Sequence, residues 1–353
     1  MPETLAVLPA LDPDWAGREL GIRAAGIARR VAVVVEASCG PDTGAVDAVT
    51  FLTRWADSTA VQHDEAGRDD HPLDLLAARY GLSPLEVDVI LLSGLPEQHE
   101  GLAATFRAFH PQGAPHPTVG LAALVFGDGA DGRPMMRRMF AEGAAARGRL
   151  FALSGDGAFF EKSIVLADTL WDALHGYDTR PADLHRIDVD PGPVGLEQWV
   201  TGLDQRRAIR ALELHEAVTV AVCSPDERVA VQRCAVLAAH AGAMLVAARC
   251  APDHLEAVGA LVALAAARGA IPVVVLASSV EPGVTLTLSL DDLPPPIMVC
   301  APPSGVHIGA RRGVLTVPTG PVAVSDHRAA WQATLPELGD QSARLATRHP
   351  IDP

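Results

Sequence analysis

The sequence predicts a mixed α/β chain, helical through its first half and built on a parallel sheet in its second. Two patterns carry that reading. Between Asp14 and Leu174 apolar residues recur every three or four positions, the spacing that places them on one helical face. Beyond Val218, short apolar runs such as Val218–Cys223 and Ile271–Ala277 alternate with helical stretches, as strands buried on both faces of a parallel sheet do. Composition agrees with both. Of the 353 residues 49% are hydrophobic, mostly Ala, Val and Leu, and 4% are aromatic, so the cores are layers of small aliphatic side chains. A chain of this length holds two or three of them.

The first segment, 1–60, reads as two helices, Asp14–Val35 and Gly44–Ala56, broken at Ser38-Cys39-Gly40-Pro41. Leu20, Ile27, Val31, Val34 and Val35 fall near one face of the first, with Arg18, Arg23, Arg29 and Arg30 mostly on the other. Its β-branched stretch Val31–Val35 equally fits a short strand. A polar linker, Gln62–His71, follows. Its His63, Asp64, Asp69 and His71 are metal-capable, but no apolar periodicity surrounds them to fix a ligand geometry. They read as solvated, and no metal site is expected.

Residues 72–178 read as short helices with a small wing. Pro72–Tyr80 is stopped by Gly81, and Ser83-Pro84-Leu85-Glu86 restarts a helix that ends near Gly94. The restart has an N-cap, a proline at the first position and an acid at the positive end of the dipole. Helices are also predicted at Glu97–Phe109, Thr118–Phe126, Gly132–Ala146 and Ile164–Leu174, with His99-Glu100 as a polar helix start. Between the last two, Leu150–Leu153 and Phe159-Phe160 flank Ser154-Gly155-Asp156-Gly157, which predicts a hairpin. Helices, hairpin and a last helix describe a winged-helix-type domain. Around one helix Arg133, Arg137 and Arg138, with Arg147 and Arg149, form a candidate interaction face.

Asp188–Pro193 reads as a second linker, and 192–353 as the sheet domain. Its strands are Val218–Cys223, Met244–Ala248, Ile271–Ala277, Pro296–Cys300 and Val314–Val317; its helices are Asp226–Ala241, Pro252–Arg268 and Ser325–Leu335. A sheet that opens strand, turn, helix invites a phosphate-loop test at Ser224-Pro225-Asp226-Glu227. Such a loop needs glycines so that backbone N–H groups approach phosphate, a lysine, and a Ser/Thr for Mg²⁺. This turn has neither glycine nor lysine, and Asp226 and Glu227 stand where the anion would sit. The turn is degenerate, and no nucleotide cofactor is expected of it. The only lysine, Lys162, follows a stretch in which both glycine positions of the motif are acids, Asp156 and Glu161, and it reads as a surface cation. No G-x-S-x-G frame surrounds Ser224 or Ser278, and His99-Glu100 lacks the second His of H-E-x-x-H, so no catalytic residue is assigned.

Charge and cysteines narrow the class. With 28 basic and 43 acidic side chains the formal charge is −15, which argues against an extended nucleic-acid footprint. Cys39, Cys223, Cys234, Cys250 and Cys300 are odd in number and contain no C-x-x-C, so they read as small hydrophobes rather than a disulfide framework or zinc site. No apolar run reaches membrane-spanning length, and the N-terminus lacks a basic signal-peptide start, so no membrane association and a cytoplasmic location are expected.

Pro72–Glu86, with Leu95-Pro96-Glu97-Gln98-His99-Glu100-Gly101 and Pro117-Thr118-Val119-Gly120-Leu121-Ala122-Ala123, resembles the winged-helix N-terminal region of AAA+ ATPases encoded with contractile injection systems. The resemblance covers roughly 72–350 and is more specific in the helical part. It implies that 192–353 is a degenerate AAA-like, P-loop-type domain preceding a competent one in a longer parent. ATP and Mg²⁺ would belong to that parent, and this chain would be no enzyme. Walker B acids would follow Val273–Leu276, where Ala277 and Ser278 stand, and the sensor strand Ile297–Cys300 runs into Ala301-Pro302. Arg311 and Arg312 fall where such domains carry arginine fingers and are candidate subunit-interface residues; from the residues alone they read as a solvated turn. Val317–Pro336 resembles the helix leading into the AAA lid, and the end at Pro353 reads as a fragment of a longer ATPase. The implied function is a non-catalytic protein-interaction and assembly region, with injection-system proteins as partners and homo-oligomers through the AAA-like domain. Two alternatives stay open: nucleotide binding through an unrecognised site, and a winged-helix DNA-binding regulator. Against the latter, 72–176 carries 8 basic and 12 acidic residues, a net of −4.

Overall fold

A computed structural model describes residues 11–39, 43–60, 70–127, 131–189, 196–251, 254, 257–276, 285–304, 306–309 and 311–350. They divide into two compact units, one of 11–179 with 266–268, the other of the remainder.

The first unit comprises α1 (Pro13–Cys39), α2 (Thr43–Ala60), α3 (Pro72–Tyr80), α4 (Pro84–Gln98), α5 (Glu100–Phe109), α6 (Val119–Phe126), α7 (Gly132–Glu142), α8 (Ala144–Arg147), β1 (Phe151–Ser154), β2 (Ser163–Leu166) and α9 (Leu170–Leu174). Helix α1 packs along α2 and against α4 and α6, burying Leu20, Ala24, Ile27, Val31 and Val35. The stretch Val31–Val35 is therefore helical and not a strand, because its buried members continue the stripe begun by Leu20. Segment 11–60 thus folds in one compact unit with 72–178.

The caps form as their sequence predicts. Gly81 takes φ 65° and closes α3, and Ser83 with Glu86 forms a reciprocal capping box on α4. Gly94 does not end α4, which continues to Gln98. A side chain there would overlap the ring of Trp171, so this glycine seats α9 on the helix, and Trp171 Nε1 donates to Gln98 Oε1 at 3.2 Å. His99 caps α5 as a polar helix start, accepting from the Gly101 N–H at 2.9 Å.

Two predicted helices are corrected. Gly132–Ala146 breaks at Gly143, because the Ala145 N–H turns to the Glu86 carboxylate at 2.8 Å. Ile164–Leu174 is not one helix: Ser163–Leu166 pairs antiparallel with β1, and the chain turns at Thr169 (φ 62°) into α9. The wing's second strand is therefore Ser163–Leu166, whereas Phe159-Phe160 form a 3₁₀ turn in which the Phe159 ring packs on Phe140 and the Phe160 ring on Phe159.

His71 corrects the solvated reading of its linker. It is buried, its Nδ1 accepts from the Leu73 N–H at 3.1 Å, and its Nε2 donates to Ala16 O at 3.0 Å, tying α3 to α1. His63, Asp64 and Asp69 lie outside the described residues.

The second unit comprises β3 (Leu184–Ile187), α10 (Leu203–Glu213), β4 (Val218–Cys223), α11 (Glu227–His240), β5 (Leu245–Cys250), α12 (Val258–Ala267), β6 (Ile271–Leu276), β7 (Leu286–Ser289), β8 (Ile297–Ala301), β9 (Val306–Gly309), β10 (Gly313–Pro318), α13 (Val324–Thr334) and α14 (Ser342–Arg348). Six strands form one sheet in the order β10-β4-β8-β6-β5-β3, parallel except for β3 at the edge, and β7 pairs with β9 apart from it. The chain enters this sheet before the predicted linker at Asp188–Pro193, most of which lies outside the described residues. Val220, Val222, Val273, Val275, Met298 and Cys300 face Cys234 and Leu237 of α11 and Leu212 of α10 in the core. At one end Asp326, fully buried, accepts from the N–H groups of Gln198 and Trp199, both at 3.1 Å, while Trp199 Nε1 donates to Pro318 O.

Burial holds His71, His110 and His116 below the ordinary imidazole range. The unfolded chain therefore binds more protons than the folded one below about pH 6.5, so the stability these neutral rings contribute is present above that pH and is lost as pH falls. The thermal midpoint is expected to be level from about pH 8 to 7 and to drop between about pH 6.5 and 5, before Asp74 and Glu86, both held below the ordinary carboxylate range, begin to titrate. A midpoint that is flat across that window contradicts this account.

Candidate functional site

Strands β4, β8 and β6 are neighbours and parallel, so their C-terminal ends share one edge of the sheet, the place where open parallel sheets bind ligands. The turn after β4 occupies that edge with its own hydrogen bonds. The Ser224 N–H donates to Ala301 O at 3.1 Å, the Asp226 N–H to Ser224 Oγ at 3.1 Å, and the Arg228 N–H to Asp226 Oδ1 at 2.8 Å. Pro225 has no N–H to offer. Three backbone donors of the kind an anion needs, those of Ser224, Asp226 and Arg228, are thus engaged within the protein. Glu227, in the first turn of α11, forms a two-point ion pair with Arg249 of β5, a contact that raises the Arg249 pKa. Ala277 and Ser278 lie outside the described residues. Strand β8 ends at buried Ala301.

Arg311 and Arg312 are separated in role. Arg311 is exposed, and its N–H donates to Asp291 Oδ1 at 2.6 Å. Arg312 turns inward and donates to Thr219 Oγ1 at 3.2 Å and to the carbonyls of Leu290 and Leu293, each at 2.8 Å. It therefore belongs to no solvated turn: it pins the 290–293 turn to β4. The sequence offered one signal for this, an Arg directly before a strand.

The first unit carries a different feature. Exposed Arg137 of α7 lies 4.8 Å from the Phe159 ring centroid and 5.0 Å from that of Phe160, and Arg133 lies 4.8 Å from Phe160. Phe140 meets Phe151 and Phe159 edge to face at 5.2 and 6.0 Å. Arg138 stands elsewhere on α7 and lines a hollow of about 530 Å³ with Met135, Met139 and Glu142. The structure thus brings Arg133 and Arg137 together on the wing's aromatic turn and sets Arg138 apart from them. Lys162 is half-buried in the same wing, where its carbonyl accepts from the Val119 N–H.

One Ser–His pair forms that the sequence did not reveal. His110 Nε2 and Ser163 Oγ are 2.9 Å apart and buried. His110 Nδ1 accepts from the Gln112 N–H at 3.0 Å, so the ring proton sits on Nε2 and donates to the serine. The pair is polarised as a structural bond, opposite to a base drawing a proton from a nucleophile. Among the described residues no cluster of His, Cys, Asp and Glu has the makings of a metal site, and no helix is long and apolar enough to cross a membrane.

Comparison with known families bears on the helical part. Residues 51–187 match the model of a winged helix domain, variant. This stretch contains α3 to α9 with the β1–β2 wing, so the winged-helix domain expected from helices and hairpin is present there. No curated protein and no solved structure matches the chain.

The contrast between the paired arginines is measurable. Arg312→Ala removes three hydrogen bonds made by a half-buried charged group and takes the donor from the Leu293 carbonyl, so it should lower unfolding free energy by about 1.5–3 kcal/mol, whereas Arg311→Ala should stay within about 0.5 kcal/mol. Equal effects in denaturant titrations of the two variants would refute the assignment.

Proposed function

We propose that this chain is a non-catalytic protein-interaction and assembly region, a winged-helix domain followed by a degenerate AAA-like domain, of the kind its sequence resembles in AAA+ ATPases linked to contractile injection systems. The observation that carries the reading is the strand-end crevice of the sheet. An AAA-type site needs the phosphate-loop turn, the Walker B acids and the sensor residue at one edge. Here the strands matched to those roles, β4, β6 and β8, lie adjacent and parallel with β8 between the other two. The scaffold supports the resemblance, while the turn Ser224–Glu227 closes on itself and Glu227 is neutralised by Arg249. An edge that keeps its layout and loses its anion donors fits a domain retained for docking. Proteins are then the partners, ATP and Mg²⁺ act only in a longer parent, and the AAA-like domain is the part that meets other subunits.

Calorimetric titration of the chain with Mg-ATP tests the non-catalytic part. The expected result is no saturable heat, and a dissociation constant below about 100 μM, roughly 5.5 kcal/mol of binding, would sink it. Arg312, committed to its own turn, leaves Arg311 as the one member of the pair able to reach a neighbour. Without a nucleotide to bridge subunits the isolated chain should therefore scatter light as a monomer or weak oligomer at micromolar concentration, and a stable ring there would place the assembly determinant in this chain after all.

A further inference from the structure

Resting on the protein-interaction reading above, we infer that a groove between α7–α8 and β1 of the winged-helix unit binds an acidic peptide segment carrying an apolar anchor. The groove encloses about 740 Å³, with Phe140, Phe151, Leu153 and Phe159 on its floor and Arg137 and Arg149 on its walls.

Charge is segregated there against the trend of the unit. The stretch 72–176 has a net of −4, yet 133–149 holds five arginines and one acid, Glu142. Arg147 turns back to the Glu142 carbonyl. Arg133, Arg137, Arg138 and Arg149 are exposed, and no hydrogen bond or ion pair with a described residue engages them. Two of these, Arg137 and Arg149, line the groove, and unneutralised cations beside an apolar floor, in a protein of charge −15, call for a carboxylate ligand from outside.

The arginines are also held for that task. Contact with the rings of Phe159 and Phe160 holds the Arg137 guanidinium in place, and no described residue takes its N–H donors, which leaves them for a carboxylate. Arg149 sits at φ 56°, in the left-handed region where glycine is unstrained and an arginine is not. Its neighbour Gly148 takes an ordinary φ of −74°. Gly148 is taken up by packing, since a side chain there would meet the Tyr80 ring, and the penalised backbone position falls to Arg149, on the wall of the groove.

The floor selects peptide over nucleic acid. Its rings pack edge to face with one another, and guanidinium groups lie over Phe159 and Phe160, which disfavours the flat stacking that a nucleobase needs. A duplex backbone has no apolar group to fill such a floor, whereas an amphipathic acidic segment uses floor and walls together.

Fluorescence anisotropy of the full chain with a fluorescein-labelled peptide, in which glutamates flank a central Trp-Leu pair, tests the proposal. Saturable binding that weakens with salt is expected, reduced at least tenfold when the glutamates become glutamines or the Trp-Leu pair becomes Ser-Gly. Arg149→Gly relieves the backbone and should keep or raise the thermal midpoint while weakening the peptide at least tenfold; Arg137→Ala should weaken it similarly. Parental affinity in Arg149→Gly, or no peptide binding by the parent, overturns the groove and leaves the broader interaction reading standing. Nanomolar, sequence-selective duplex DNA binding at physiological salt, with no peptide binding, overturns both.

Discussion

The winged-helix unit is organised around one buried carboxylate. Glu86 completes the capping box of α4 through the Ser83 N–H and hydroxyl, at 2.8 and 2.7 Å, and with its other oxygen takes the Ala145 N–H at 2.8 Å. Burial pushes this carboxyl up, and the hydrogen bonds from Ala145, Ser83 and Ala144 outweigh that, leaving it below the ordinary range. A charge kept ionised in this way must be fully bonded, and the bonding sets geometry. It fixes where α4 begins, where α7 stops and where α8 starts, and so the angle at which the chain enters the wing. The arginines of α7 and the phenylalanines of the wing meet because those three helix ends converge on the same two oxygens.

What was legible in the sequence was mostly punctuation. Pro72, Gly81, Ser83 and Pro84 mark helix ends by local chemistry that no tertiary contact overrides, and those ends form as read. The parallel strands were legible because unbroken apolar runs have few other homes. Long-range bonds were not. Gly94 reads as a stop from its lack of a side chain, and only the position of Trp171 shows that the gap is filled by a ring. Strand β3, Leu-His-Arg-Ile, lacks an apolar run because it lies at the sheet edge, and α10 is half charged, so neither announces itself.

The candidate sites divide along the same line. That Ser224–Glu227 lacks glycine and lysine is visible in the letters; that its own side chains satisfy its N–H groups is a matter of where a turn folds. Arg312 and Asp326 look like surface charges in the sequence, and the structure spends the first on the Thr219 hydroxyl, 93 positions away, and the second on the Gln198 N–H, 128 positions away. The arginine face around 133–149 was visible as a cluster, but its pairing with Phe159 and Phe160 needed the wing's second strand to be placed correctly.

In the other unit, the thiols of Cys234 on α11 and Cys300 on β8 lie 3.4 Å apart in the core. Contact with Cys234 and burial hold the Cys300 thiol well above its ordinary range, so it stays protonated at neutral pH, and the protonated form is unreactive. Reagents reach this sulfur only when the helix lifts from the sheet. Cys223, at the end of β4 and partly accessible, reports on the strand edge alone. The molecule therefore carries two chemical clocks of different depth, and the gap between their rates is a direct reading of how often the sheet loses its cover.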